Sequence, residues 1–183
     1  MKMKSADAVS GEILNLAVAA SLALISFLIT ATYPAKVLSK FLGVDVPFLG
    51  IAVLGGFIFI FWISIAYRIL GKNFGIITAL LIASFSLLVT PWFGITDPPW
   101  FGVYGLISFF LMGLLTERIN GGFGNFACLM VNWLALGYHY NVYPPLHLAI
   151  SFAVVSFISG FVGDKLAYIV SNKIRSINIF NVN

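Results

Sequence analysis

The chain has 183 residues, 61% of them hydrophobic and only 9% charged, with a net charge of +4. A water-soluble core of that composition would lack the polar surface to cover it, which excludes a soluble globular domain. The positive charges form no basic run that could follow a phosphate backbone, so nucleic acid is excluded as a partner.

The charged residues leave uncharged intervals at 13–35, 46–67, 73–96, 98–116 and 119–163. A helix needs about 20 apolar residues to cross a ~30 Å hydrocarbon layer. The first four intervals each fit one crossing. The fifth fits two and is broken at Tyr143-Pro144-Pro145, where proline interrupts a helix. The expected fold is therefore all-α: a polytopic membrane protein with six transmembrane helices in one bundle. The spans fall near 13–33, 48–70, 74–90, 100–117, 123–141 and 145–171, with short tails at 1–12 and 172–183. No alternation of the transmembrane β type appears in runs such as 75–89. One domain is expected over the whole chain.

Span one begins after Lys2 and Lys4, as a secretion signal would, but its apolar run to Ala31 exceeds an ordinary signal core and reads as a retained helix. Its Ala19 and Ala23 lie four apart on one face, a small-residue patch that admits another helix closely. That patch suits either packing within the chain or docking on another membrane subunit. Asn15 reads as interfacial.

Lys2, Lys4, Arg68, Lys72, Arg118, Lys165, Lys173 and Arg175 fall on one side of such a bundle, and only Lys36 and Lys40 on the other. The positive-inside rule then predicts a multi-pass cell-membrane protein with both termini cytoplasmic. All the prolines lie on the outer side, whereas the inner turns carry Gly71, Gly75, Gly121, Gly122 and Gly124. Proline stiffens a connection and glycine permits a tight one, so the outer face reads as shaped and the inner face as a set of chain reversals. Glu117-Arg118 marks an inner turn. Asp164 and Lys165 are expected to reach headgroups by snorkelling.

Outer loop one spans 34–47. Loop three spans 91–99 and holds Trp92 and Asp97, followed by Trp100 and Tyr104. Loop five is Tyr138, His139, Tyr140, Asn141 and Tyr143, with His147 one turn into span six. Aromatic faces with a few hydrogen-bonding groups and one carboxylate suit a flat heteroaromatic ligand. Trp and Tyr also gather at membrane interfaces for their amphipathic rings alone. Asn132, beside Trp133 near the middle of span five, either floors an outer pocket or bonds a neighbouring helix. His139 and His147 lack an evident third ligand, and the lone Cys128 reads as a packing residue, so no metal or cofactor is expected. No hydrolase, zinc-protease, P-loop or dinucleotide motif is present, and the mid-depth lacks the acids of a proton-driven pump. The chain does not read as an enzyme.

The residues Pro47-Phe48-Leu49-Gly50, leading into an aromatic-rich span two, and the inner turn Tyr67-Arg68-Ile69-Leu70-Gly71-Lys72-Asn73-Phe74-Gly75 carry a resemblance. Together with six spans and the Ala19/Ala23 patch, the chain resembles the substrate-binding S components of energy-coupling factor (ECF) transporters. It looks most like the YkoE-type branch, associated with thiamine or its hydroxymethylpyrimidine precursor. The resemblance covers about half the chain. It implies a membrane subunit that captures a small vitamin-like ligand outside and docks on a coupling subunit driven by two ATPases, with the family's A-x-x-x-A docking motif falling on Ala19 and Ala23.

The expected binding set is Trp92, Asp97, Trp100, Asn132, Trp133, His139, Tyr140, Asn141 and His147, with Asp97 as counter-charge to a cationic ligand. The rival readings are a structural or assembly subunit of a larger membrane complex, and an intramembrane enzyme built on His139, His147 and Asp97.

Overall fold

In a computed structural model, residues 3–32, 49–89 and 99–177 are described, with side chains over 10–30, 50–88 and 102–177. Every element among them is a helix. We number them α1 (Met3–Thr32), α2 (Leu49–Gly55, a π turn Gly56–Ile60, and Phe61–Leu70), α3 (Phe74–Val89), α4 (Pro99–Arg118), α5 (Gly121–Tyr140) and α6 (Leu146–Ser176). The six expected helices are present. Three segments, Ser10–Thr30, Gly50–Leu70 and Leu146–Ser176, are long and apolar enough to cross a membrane, and α3 contributes a shorter apolar helix.

The helix ends differ from the spans read from charge mostly at the two termini. α1 starts ten residues before span one, and α6 runs five residues past span six. The physical reason is that an uncharged interval marks the lipid-matched stretch, whereas helical hydrogen bonding continues through flanking polar residues. The internal ends have local causes. After α2 the chain reverses through Gly71 (φ 105) and Asn73 (φ 73), left-handed positions that glycine and asparagine tolerate best. Asn120 caps α5, its side-chain oxygen accepting from Phe123 N at 3.2 Å. Pro144 and Pro145 precede α6, and Pro145 needs no amide there.

α2 is the hub. The helices α1, α3, α4, α5 and α6 follow one another around it, each packed on the next, while α1 and α6 have no substantial packing with each other. One apolar core joins Ala23 of α1, Phe59, Ile60 and Ile63 of α2, Ala79 and Ile82 of α3, Met112 of α4 and Cys128 of α5. Outward, α1 exposes Ile13, Leu16, Leu24 and Leu28, and α6 exposes Ile150, Val154, Ile158 and Ile169. Apolar side chains inside and outside alike are what a bundle solvated by lipid requires, and their extent marks membrane association.

Side-chain hydrogen bonds to the α2 backbone surround the π turn. Phe61 N donates to Gly56 O across the widened turn, and Gly56 N instead finds Ser159 Oγ at 3.1 Å. Ser159 Oγ in turn donates to Val53 O (2.8 Å), Asn125 Nδ2 to Ile51 O (3.1 Å) and Ser26 Oγ to Ile58 O (2.5 Å). Thus α6, α5 and α1 each satisfy part of a backbone whose ladder the π turn disturbs. Between α2 and α6 the backbones almost touch. A Cβ on Gly56 would collide with Ser159 O, and one on Gly163 would collide with Gly56 O.

The turn from α2 to α3 is held from a distance. Glu117, at the end of α4, accepts from the amides of Asn73 (3.0 Å), Gly75 (2.7 Å) and Ile76 (3.2 Å). A carboxylate on the free amides at a helix start also meets the positive end of the helix dipole. Glu117→Ala should lower the unfolding free energy by about 1–2 kcal/mol. Faster hydrogen exchange at those three amides, with little change in α6, is the measurement that checks it.

Candidate functional site

The bundle has two unlike ends. One gathers the end of α2, the start of α3, the end of α4, the start of α5 and Asp164 of α6; we call it the polar end. The other gathers the end of α5, the start of α6 and Tyr104 of α4; we call it the aromatic end.

At the aromatic end the last turn of α5 carries Tyr138, His139 and Tyr140, all exposed. The His139 ring meets Tyr104 edge-on at 5.5 Å between centroids and Tyr138 at 5.0 Å. Asn141 takes the left-handed conformation (φ 56) that ends α5, its amide donating to Gly137 O at 3.1 Å. Tyr143 folds back so that its ring covers Gly137, where any side chain would strike it. The rim is therefore set by backbone geometry: a left-handed cap, then Val142 and Tyr143, then two prolines. His147, one turn into α6, is exposed.

Asn132 and Trp133 lie one to two turns deeper in α5, about 10 Å below His139. Asn132 is buried, with Nδ2 donating to Cys128 O at 2.8 Å and to Cys128 Sγ at 3.6 Å. Its donor side thus turns onto its own helix. Trp133, only 7% exposed, joins Ala52 and Leu129 in an apolar cluster closed by Leu148, Ala149 and Phe152 of α6. Trp100 stands in the first turn of α4, and nothing further is described for its side chain. Trp92, Asp97 and loop one lie outside the described residues. The structure accordingly brings His139, Tyr140 and Asn141 together at the rim, with Tyr104 as a neighbour that the expected set lacked. Asn132 and Trp133 sit beneath them. No group of three metal-ligating side chains occurs among the described residues.

Ala19 and Ala23 are both fully buried. The face they mark is occupied by the chain's own helices, Ala23 lying in the core with Phe59 and Ala79. Of the two readings of that patch, packing within the chain is the one the structure realises.

The polar end departs further from the sequence expectation. Asp164 does not reach for headgroups: its side chain is 8% exposed and pairs with Arg68 Nη2 at 2.8 Å. The same carboxylate accepts from Ser64 Oγ (2.8 Å), Tyr67 OH (3.4 Å) and the Gly121 amide (3.3 Å) that opens α5. One acid therefore joins α2, α5 and α6. The Arg68 guanidinium also lies over the rings of Tyr67 (4.9 Å) and Tyr168 (5.2 Å), and Arg175 donates to Arg68 O. The inward turn of Asp164 has a local cause. Asp164 shares a helix face with Ser156, Ser159, Gly160, Gly163, Ala167 and Ser171, all small or polar and all buried. A four-residue spacing of small side chains is a packing face, so an acid within it points inward. Asn125, which stands in no motif, is fully buried and also donates to Ser156 O at 2.9 Å.

No protein-family model, curated protein or solved structure matches the chain.

Proposed function

We propose that the chain is a six-span cell-membrane subunit, both termini cytoplasmic, that captures a small heteroaromatic ligand of the thiamine or hydroxymethylpyrimidine kind at its aromatic end. It performs no catalytic chemistry of its own and delivers its ligand by docking on a coupling subunit with two ATPases. The observation that supports this reading is the contrast between the ends. The polar end is closed by its own ion pair and helix caps, while the aromatic end presents Tyr138, His139 and Tyr140 from a fixed helix terminus. A preset aromatic rim loses little freedom on binding, which favours affinity. Docking has to use a face other than Ala19 and Ala23, since both are consumed by internal packing.

Thiamine, hydroxymethylpyrimidine and a panel of vitamins, added to the purified protein in detergent, provide the test. The expected result is quenching of tryptophan fluorescence and a midpoint raised by about 5 °C by one of them. His139→Ala should weaken that binding at least about tenfold, or ~1.4 kcal/mol. Asn141→Gly preserves the left-handed cap, so any loss of binding in that variant belongs to the amide side chain. A panel that changes neither fluorescence nor midpoint would refute ligand capture and leave the rim as interfacial anchoring in an assembly subunit.

A further inference from the structure

Two acids of the polar end are held by the fold, whereas two cations of α6 are left open. Glu117 is held by three backbone amides and Asp164 by Arg68, Ser64, Tyr67 and the Gly121 amide. Both carboxylates are thus occupied by partners within the chain. Lys165 and Lys173 of α6 are exposed, and neither has an ion-pair partner among the described residues. They stand eight positions apart with Ile169 midway, so all three lie on one stripe of the helix. Phe161 continues it by another four.

That stripe alternates apolar and cationic groups. Phe161 is 40% exposed and Ile169 62% exposed, and the Lys165 ammonium lies 5.3 Å from the centroid of the Phe161 ring. Above it, Ile158 and Val162 are exposed and apolar. The depth of the stripe follows from helix geometry. With Leu146 at one edge of the hydrocarbon, Lys165 comes about 28 Å along α6 and Lys173 about 40 Å along it. A ~30 Å hydrocarbon core with about 5–7 Å of headgroup on each side puts the first lysine at the acyl boundary and the second a few ångströms past the headgroups, from where its long side chain reaches back to them. The phosphate layer falls between them.

We infer that this stripe of α6 is a seat for one anionic phospholipid. Its phosphate is bracketed by Lys165 and Lys173, and its acyl chains lie along Phe161, Val162 and Ile158. Apolar contact sets the depth, and the two ammonium groups, unopposed by a carboxylate among the described residues, select negative charge. The inference rests on the bilayer placement proposed above but not on the vitamin.

The test compares the full chain in nanodiscs of phosphatidylcholine with discs containing phosphatidylglycerol, read as the thermal unfolding midpoint. The expected result is a midpoint higher by about 5 °C with phosphatidylglycerol. K165Q/K173Q should abolish that gain while leaving the phosphatidylcholine midpoint unchanged. K72Q/R118Q, which removes two exposed cations of the same end away from the stripe, should keep it. Equal midpoints in the two lipids would overturn the seat, as would equal loss in both double variants, which would signal surface charge in general. Millimolar inorganic phosphate reproducing the gain in phosphatidylcholine would overturn the lipid and assign a free anion. A chain that enters neither disc refutes the bilayer placement, whereas one that enters both with equal stability refutes the seat alone.

Discussion

Asp164→Asn should destabilise the folded chain by about 3 kcal/mol, measured by unfolding in detergent micelles. The substitution keeps the shape and removes the charge, so Arg68 is left against two tyrosine rings without its counter-ion. Arg68 retains 23% exposure, and the remaining contact with solvent or headgroups places the cost at the low end for a broken buried pair. The opposite change is milder. After Arg68→Gln the carboxylate still has Ser64, Tyr67 and the Gly121 amide as donors, so about 1–2 kcal/mol is expected. The double variant should lose less than the two single losses summed, since each deletion removes the other's orphan. Additive losses would show that the pair is not coupled and that Asp164 acts only through its hydroxyl and amide donors.

Gly56→Ala should be at least as damaging, although it adds a single methyl group. That methyl would enter the Ser159 carbonyl and lie 2.8 Å from Ser159 Oγ, the acceptor of the Gly56 amide. Relief needs α2 and α6 to part along the contact where Gly163 also meets Gly56, and parting loosens the Ser159 bond to Val53 O. We expect about 3 kcal/mol or more from overpacking together with the lost hydrogen bonds. Gly105→Ala is the matched control. A Cβ at Gly105 meets nothing within 4 Å, so this change should be neutral or stabilise by up to about 1 kcal/mol through helix propensity. Similar outcomes for the two variants would mean that the π turn is not a site of close backbone approach.

The two variants separate what can be read in one dimension from what cannot. The number of helices and their approximate limits follow from where charge is absent, because lipid tolerates so few charges that their spacing is itself a record of depth. The aromatic concentration near 138–147 was visible for the same reason. Its internal arrangement was not, since Asn141 as a left-handed cap and Tyr143 laid on Gly137 depend on a turn whose φ values no composition reveals. Asn132 and Trp133 show the limit more sharply. Adjacent in sequence, they point about 100° apart around α5, so one turns back to Cys128 and the other packs beneath the start of α6.

From its sequence alone this protein is an all-helical chain that lipid, not water, must solvate, with its cations biased to one end and its histidines and most of its tyrosines to the other. Those properties depend on side-chain chemistry and on order along the chain, and neither needs a partner to be known. Only the tertiary structure decided that α2 is the hub, that Ala19 and Ala23 face inward, and that Asp164 closes the polar end instead of meeting headgroups. Each of those depends on which of several similar apolar faces meets which. Close backbone approach at glycines and hydrogen bonds between residues about a hundred positions apart make that choice, and such pairings leave no local trace.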